Sequence, residues 1–382
     1  MNKIRVVSVV GARPNFIKLA PIHQTLCDIS AGNSINHSIV HTGQHYDYNL
    51  SKIFFKEFGI PKPEFELEVG SGTPGYQIGE MVKKIEKVFL ENFNEFDLAL
   101  VYGDTNSTIA GAIAARSSGL KIAHVESGLR SFDRRMPEEI NRVLTDHISD
   151  YLFAPTMSAV RNLEREHVFG KIIYTGDISV EIVNKAAKLF ENRSSILNYL
   201  ELRPKSFILF TMHRDENTSS QESLASVIHA FEILSGSYVR HAAESDSYTI
   251  VFPIHPRTAK LLKDHNLYAR LEKCKNLKII EPVGYLDFLN LMQNAIKVIT
   301  DSGGAQKEAY LLGVPCITIR RNTEWLETVN EGWNLLTDTD TNRIVEAVKN
   351  WSPSIDHPFQ NKTIFGDGRT SIVIRSFIGS IA

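Results

Sequence analysis

The chain has 382 residues, 43% hydrophobic and 23% charged, with a formal net charge of −2; this is globular composition over a length that suits two or three domains. The near-neutral balance gives no reason to expect a nucleic-acid or membrane partner, and no apolar run approaches the ~18 residues of a membrane span. Cys27, Cys274 and Cys316 show no CxxC pairing and no regular spacing, which argues against a disulfide framework and for a reducing cytoplasm.

Ile4–Val10 is a β-branched run ending at Gly11, the pattern of a buried parallel strand. Helical spacing follows over Ile17–Leu26, then a short strand, Ser38–His41. Phe54 and Phe58 fall in a helical stretch closed by Gly59. Asp97–Tyr102 reads as a strand before Gly103, and Thr108–Arg116 as a small-residue helix closed by Gly119. Lys121–Val125 and Tyr151–Ala154 read as strands flanking a helix, Pro137–Asp146, with proline at its start. The stretch from Glu181 to Lys205 is polar and helical.

In the second half, Ser206–Thr211, Tyr248–Pro253, Leu277–Ile280, Val298–Thr300 and Val314–Ile319 read as strands. Gln306–Leu312 reads as a helix closed by Gly313, and Ala242–Ser247 as an exposed loop. Strand–helix alternation predicts an α/β fold with parallel sheets: two Rossmann-like domains facing across a cleft. The boundary is expected near Thr175–Val180, giving domains 1–176 and 177–369, with a helix at about 370–382 packing back on the first.

Open α/β sheets bind ligands at the carboxyl ends of their strands. Thr300-Asp301-Ser302-Gly303-Gly304-Ala305-Gln306-Lys307-Glu308 follows a strand and opens a helix. Its glycines let backbone N–H groups approach a ligand, and the helix N-terminus favours an anion. Ser302 adds a hydroxyl, and Glu308 stands about one turn in, placed to accept from a ribose hydroxyl. A plain tight turn is the competing explanation. There is no GxxxxGK[ST] loop, and Val10-Gly11-Ala12-Arg13-Pro14 does not match GxGxxG, so ATP and dinucleotide cofactors are not indicated.

Four acid–base candidates follow strands or start helices: Asp104, Glu126, Glu138 beside Glu139, and His213. Carboxylates after adjacent strands can converge and tune each other. Arg13, Lys18, Arg142 and Arg214 are the candidate counter-charges. Each residue also has a structural reading: Glu138 and Glu139 complement a helix dipole, Asp104 caps the next helix, and His213 packs. His41, His45 and His255 form no metal-ligand spacing, and no metal site is expected.

These motifs resemble the non-hydrolysing UDP-N-acetylglucosamine 2-epimerase family over nearly the whole chain, from Val10-Gly-Ala-Arg-Pro to Phe365-Gly-Asp-Gly-Arg-Thr. Between these lie His41-Thr-Gly-Gln-His, Tyr102-Gly-Asp-Thr, His124-Val-Glu-Ser-Gly-Leu-Arg and Pro137-Glu-Glu-Ile-Asn-Arg. Phe153-Ala-Pro-Thr, Thr211-Met-His-Arg, Asp301-Ser-Gly-Gly-Ala-Gln-Lys-Glu and Thr323-Glu follow. The resemblance implies a glycosyltransferase-B fold, a cytoplasmic homodimer, a UDP-sugar substrate and no cofactor. It implies catalytic roles for Asp104, Glu126, Glu138 and His213, and places Arg13 and Lys18 near sugar and diphosphate. Ser302, Gly303, Gly304 and Glu308 match its UDP-binding positions.

Its mechanism is elimination of UDP to a 2-acetamidoglucal and re-addition. A hydrolysing epimerase and a glycosyltransferase of the same fold are the alternatives. Two departures stand out. Trp325 replaces an arginine common in the family, which leans toward relatives acting on UDP-2,3-diacetamido-2,3-dideoxyglucuronate. Gln44-His45-Tyr46-Asp47-Tyr48-Asn49 replaces the bacterial signature for activation by substrate.

Overall fold

Two parallel sheets, each wrapped by helices, make up the chain. The structure is a computed structural model that describes residues 4–28, 35–44, 55, 58–236, 247–353 and 362–381. Phe54, residues 45–49 of the Gln44–Asn49 stretch and residues 242–246 of the expected loop lie outside the described residues. The chain divides into two compact units: Met1–Ile182 with Lys362–Ala382, and Val183–Asn361.

The first unit holds seven strands: β1 (Arg5–Val10), β2 (Asn36–His41), β3 (Phe65–Glu66), β4 (Leu98–Tyr102), β5 (Lys121–Val125), β6 (Tyr151–Ala154) and β7 (Lys171–Tyr174). They pair in the order β3-β2-β1-β4-β5-β6-β7, and every pair is parallel. Helices α1 (Arg13–Leu26), α2 (Pro74–Glu91), α3 (Asn106–Ser117), α4 (Pro137–Ile148), α5 (Met157–Arg165) and α6 (Ile178–Arg193) follow in chain order.

β1 and β4 are buried almost throughout, which is why they read as unbroken apolar runs. On one face Val7, Val9 and Val101 pack with Met81, Ile85 and Phe89 of α2 and with the alanines of α3. A side chain at Gly111 would fall 2.9 Å from Val9, so the small-residue character of α3 is what lets it lie close to the sheet.

The second unit holds β8 (Phe207–Thr211), β9 (Thr249–Pro253), β10 (Leu277–Ile280), β11 (Lys297–Thr300), β12 (Cys316–Thr318) and β13 (Asn334–Leu336). Their order is β10-β9-β8-β11-β12-β13, again parallel throughout. Its helices are α7 (Ile196–Tyr199), α8 (Asp215–Thr218), α9 (Gln221–Leu234), α10 (Pro256–Asp264), α11 (Tyr268–Glu272), α12 (Tyr285–Asn294), α13 (Gly303–Leu311), α14 (Leu326–Asn330) and α15 (Thr341–Asn350).

Phe210, Phe231 and Phe252 form an edge-to-face cluster in this core, with centroids 4.5 and 4.7 Å from Phe210. The buried Lys297 ammonium donates to the carbonyls of Ala347 (2.9 Å) and Val348 (2.6 Å), closing the C-terminus of α15. Burial holds that lysine below its ordinary pKa.

The last helix, α16 (Thr370–Ser380), belongs to the first unit. Ser371 accepts from Thr25 of α1 at 2.9 Å, and its backbone N–H donates to Glu181 at 2.7 Å. In each sheet the strand order reverses beside one central strand, β1 in the first and β8 in the second. Such reversals open a crevice at the carboxyl ends of the strands, and that is where the candidate residues fall.

Several elements differ from the sequence expectation. The helix read as Gln306–Leu312 begins at Gly303, because Ser302 caps it and the two glycines lie inside its first turn. β3, β7 and β13 were not anticipated; they are two to four residues long and exist through pairing to a longer neighbour. No helix among the described residues is long and apolar enough to cross a membrane.

Candidate active site

In the first unit the site is built on the turns after β4 and β5. Gly103 has φ +63°, and its N–H donates to Val125 at 2.9 Å. A Cβ there would lie 2.9 Å from Lys18 Nζ and 3.1 Å from Glu126 Oε2. Glycine therefore meets two demands at once, a left-handed backbone and space for an ion pair. Lys18 Nζ donates to Glu126 Oε2, with side chains only 13% and 9% exposed. Glu126 itself has φ 70°. A non-glycine residue in that region costs about 1–2 kcal/mol, and such strain persists where surrounding contacts dictate it.

Asp104 has its own cation. Arg142 donates to Asp104 Oδ2 at 2.5 Å and to Glu139 Oε2 at 3.3 Å. Asn141 holds the Asp104 carbonyl at 3.0 Å. Asp104 does not cap α3; Thr105 does, accepting from the Thr108 N–H. Of the adjacent acids at the start of α4, Glu139 is buried and accepts from Ser131 N–H (2.8 Å), Ser131 Oγ (2.9 Å) and Phe132 N–H (3.1 Å). Glu138 is half-buried beside it, and Arg13 is exposed at the start of α1. Lys18 with Glu126, and Arg142 with Asp104, are thus two pairs joined through the Gly103–Asp104 peptide.

Two residues behind this arrangement were not singled out from sequence. Asn15 accepts from the N–H groups of Gly11 (3.2 Å) and Ala12 (3.1 Å) and donates to the Tyr102 carbonyl at 2.9 Å. It fastens the β1 turn to the β4 turn. His124 is fully buried, with Nδ1 2.7 Å from Asp146 Oδ1 and Nε2 2.7 Å from the Gly103 carbonyl.

Asp146 also accepts from Gly128 N–H (3.1 Å) and Arg130 Nη1 (2.7 Å). Burial alone would raise the Asp146 carboxyl, but the bonds from His124 and Arg130 outweigh it and hold the group below its ordinary value. One buried carboxylate thereby ties together the turns carrying Asp104 and Glu126. The sequence signal was His124 inside a buried strand, two residues before Glu126.

In the second unit the site forms where β8 and β11 end. Asp301 is fully buried and accepts from the N–H groups of His213 (3.0 Å) and Arg214 (2.9 Å). His213 Nδ1 lies 3.3 Å from Asp301 Oδ1, while its ring is 46% exposed. Burial pushes the Asp301 carboxyl up, yet the His213 ring and the two backbone donors leave it below its usual range. The Asp301 carboxylate orients the imidazole and leaves its other edge free of that contact. Asp301 is missed by the reading of its motif; its place directly after the end of β11 is the available clue.

Ser302 caps α13, its hydroxyl oxygen facing Ala305 N–H at 3.5 Å. At Gly303 a Cβ would fall 2.0 Å from Glu324 Oε1. At Gly304 only Ser302 Oγ lies within 4 Å, at 3.9 Å, and the residue is exposed. At Gly304 the first turn of α13 therefore presents open backbone, the local chemistry of an anion site. Glu308 Oε1 accepts from the buried Tyr285 hydroxyl at 2.7 Å. Arg214 Nη2 is 3.9 Å from Glu324, which Arg320 holds at 2.9 Å. Trp325 is buried, with the Lys307 ammonium 4.0 Å from its ring centroid.

A family model described as UDP-N-acetylglucosamine 2-epimerase matches residues 28–379. A protein of Methanococcus maripaludis described as a UDP-N-acetylglucosamine 2-epimerase homolog is 48% identical over 372 residues, 97% of this chain and 98% of that one. The UDP-2,3-diacetamido-2,3-dideoxy-D-glucuronate 2-epimerase of Pseudomonas aeruginosa is 39% identical over 382 residues, 99% of this chain and all of that one. The crystal structure of the Methanocaldococcus jannaschii UDP-GlcNAc 2-epimerase, in complex with UDP-GlcNAc and UDP, superposes with a TM-score of 0.87 at 42% identity, covering 99% and 100% of the two chains. The fold is accordingly a pair of Rossmann-like, parallel-sheet α/β domains of the glycosyltransferase-B class. By matched length and identity, the chain belongs to the UDP-N-acetylglucosamine 2-epimerase family.

Proposed function

We propose that this chain interconverts UDP-N-acetylglucosamine and UDP-N-acetylmannosamine without hydrolysis. A carboxylate takes the proton from sugar C2. That electron pair forms the C1–C2 double bond as the C1–oxygen bond to UDP breaks, leaving 2-acetamidoglucal. UDP then adds back to C1 while C2 is reprotonated on the opposite face. The route passes through no ketone, so it needs no nicotinamide.

Asp104, Glu126 and Glu138 are the acid–base carboxylates in this reading, and His213 donates to the leaving diphosphate. Arg13, Lys18, Arg142 and Arg214 supply positive charge. Ser302, Gly303 and Gly304 bind the diphosphate through the start of α13, and Glu308 accepts from the ribose. The enzyme works as a cytoplasmic homodimer in this reading. Acid–base catalysis supplies about 10²–10⁴-fold; stabilising the departing UDP must supply much of the rest.

The observation that carries the reading is the pairing of two carboxylates with two cations after adjacent strands, Glu126 with Lys18 and Asp104 with Arg142. A base aimed at C2 has to be held in place, and each of these pairs fixes the position of a carboxylate just after a strand. The Methanocaldococcus relative's complex with UDP-GlcNAc and UDP supports the choice of substrate.

The test is proton NMR of UDP-GlcNAc incubated with the enzyme in deuterium oxide. The expected result is a stable mixture of two UDP sugars with deuterium at C2. Accumulating free UDP and N-acetylmannosamine would mean hydrolysis instead, and retention of the C2 proton during epimer formation would refute the elimination route.

A second substrate reading is UDP-2,3-diacetamido-2,3-dideoxyglucuronate. It is favoured by the Trp325–Lys307 contact, where many family members carry arginine, and by the Pseudomonas relative. Assaying the two sugars side by side separates the readings by kcat/KM.

A further inference from the structure

Apart from the candidate active site, the end of α1 and the start of β2 bring three donor groups together. His23 and Cys27 are four residues apart at the last turn and C-cap of α1, so they share one face. His37, the second residue of β2, faces them across the gap. One ligand atom from each of the three lies within 4.8 Å of the others. His23 Nδ1 is 2.9 Å from His37 Nδ1, and Cys27 Sγ is 3.8 Å from the ring nitrogens of His23.

The far side of His37 is also fixed. Its Nε2 bonds to Ser8 Oγ at 2.7 Å, and Ser8 Oγ bonds to Tyr102 Oη at 2.6 Å, all three residues being buried. With Nε2 committed to Ser8, Nδ1 is the atom that points at the cluster. A ring held through one nitrogen while the other faces outward is the arrangement of a metal-ligating histidine.

We propose that His23, Cys27 and His37 bind a borderline-soft divalent cation of the Zn²⁺ type, which braces the end of α1 against β2. Imidazole plus thiolate is the donor set that selects such an ion over Mg²⁺ or Ca²⁺. Zinc–nitrogen bonds of about 2.0–2.1 Å at tetrahedral angles put two nitrogens about 3.3 Å apart, and a nitrogen and a thiolate about 3.5 Å apart. The His23–His37 and His23–Cys27 separations of 2.9 and 3.8 Å differ from those by a few tenths of an ångström, and Cys27 lies within 4.8 Å of His37. Binding would turn the partly exposed His23 and swing the exposed Cys27 side chain toward His37.

On binding, the Cys27 thiol proton leaves to solvent. His23 carries its single hydrogen on Nε2 and His37 keeps its hydrogen on the nitrogen facing Ser8, so both Nδ1 lone pairs reach the metal. A fourth position is left for water. No His–His helical repeat or CxxC spacing marks this site, because its ligands come from a helix end and a strand start.

The test uses the full chain, stripped of metal with a chelator and titrated with Co²⁺ alone. The expected result is one equivalent bound, with a near-ultraviolet thiolate-to-cobalt band and the visible bands of a four-coordinate ion, displaced by Zn²⁺. Cys27→Ser removes the near-ultraviolet band, and His23→Ala weakens Co²⁺ binding at least about tenfold. Zn²⁺ raises the Tm of the unmodified chain and leaves that of Cys27→Ser unchanged. Circular dichroism checks that both variants fold. Absence of the thiolate band, or a band and affinity unchanged in both variants, overturns the proposal.

Discussion

The two candidate clusters hold charge in different ways. In the first unit carboxylates are paired with cations: Lys18 on Glu126, and Arg142 on Asp104 and Glu139. In the second unit the exposed surface of the cluster is a histidine ring and Gly304 in the first turn of a helix, with Asp301 buried underneath and Glu324 lying against Gly303. The first arrangement suits moving a proton, since each ion pair keeps a carboxylate at a set position. The second suits holding an anion that comes and goes, since backbone N–H groups need no counter-ion and do not reorganise. The contrast teaches that acid–base work and leaving-group work make separate structural demands, which two separate sheet ends can meet without compromise.

The largest effects should come from removing one functional group on each side. Glu126→Gln and His213→Asn are each expected to lower kcat by at least about 100-fold, from the size of acid–base effects. They should differ in kind. Glu126→Gln should abolish deuterium incorporation at C2 while UDP still binds, measured by calorimetry. His213→Asn should slow departure of UDP, measured by single-turnover kinetics. Near-normal turnover in both would break the comparison outright.

Next come the buried carboxylates that position each cluster, Asp146 and Asp301. Asp301→Asn keeps an acceptor for the backbone N–H groups but removes the charge from His213. We expect kcat to fall about tenfold, with a displaced pH profile and little change in KM, on the scale of lost orienting partners. Both carboxyls sit below their ordinary values in the fold. A depressed folded-state pKa means the ionised form favours folding. The stability this supplies is complete above about pH 4, the unfolded value, and is lost as pH falls through the lower folded values. Acid unfolding followed by circular dichroism should therefore be less steep in Asp146→Asn than in the unmodified chain.

How much of this was legible in the sequence follows from what each feature depends on. β1, β4 and β8 were legible because both faces are buried and the apolar run is continuous. Gly103 and Asp104 were legible because function in parallel sheets lies just after a strand. The choice between Glu138 and Glu139 was not, since adjacent positions on a helix differ by ~100° in direction, and only packing shows that Glu139 faces Ser131 and Arg142. Nor were Asn15 and His124, whose partners lie 87 and 21 residues away. The pairing of Lys18 with Glu126 spans 108 residues, and composition carries no trace of it.

A pair of glycine substitutions sharpens the contrast at smaller scale. Gly103→Ala puts a methyl at 2.9 Å from Lys18 Nζ on a backbone of φ +63°. It should cost about 1–2 kcal/mol from backbone strain, lower Tm, and reduce kcat by disturbing the Lys18–Glu126 pair. Gly304→Ala meets only Ser302 Oγ at 3.9 Å. It should leave Tm within error while weakening UDP binding, because the methyl stands where a diphosphate approaches the helix. A Tm loss as large for Gly304→Ala would show that its open backbone is structural.

The smallest effects belong to the helix caps, and they separate the two regions most cleanly. Thr105 caps α3 with its hydroxyl also 3.0 Å from Thr108 Oγ1 and 3.2 Å from Asn15 Oδ1. Thr105→Ala loses the cap and one tie between the β1 and β4 turns, so about 1 kcal/mol of stability should go, seen as a Tm drop of about 2–4 °C. Ser302 caps α13 through a single contact of 3.5 Å, at the limit of a hydrogen bond. Ser302→Ala should cost less than Thr105→Ala in Tm and more in UDP affinity, because a hydroxyl so loosely engaged by its own helix is available to an anion. Thermal melts with and without UDP measure both quantities on the same samples. If UDP raises the Tm of Ser302→Ala as much as it raises that of the unmodified chain, then the hydroxyl is a cap and nothing more, and the anion-holding role rests on Gly303 and Gly304 alone.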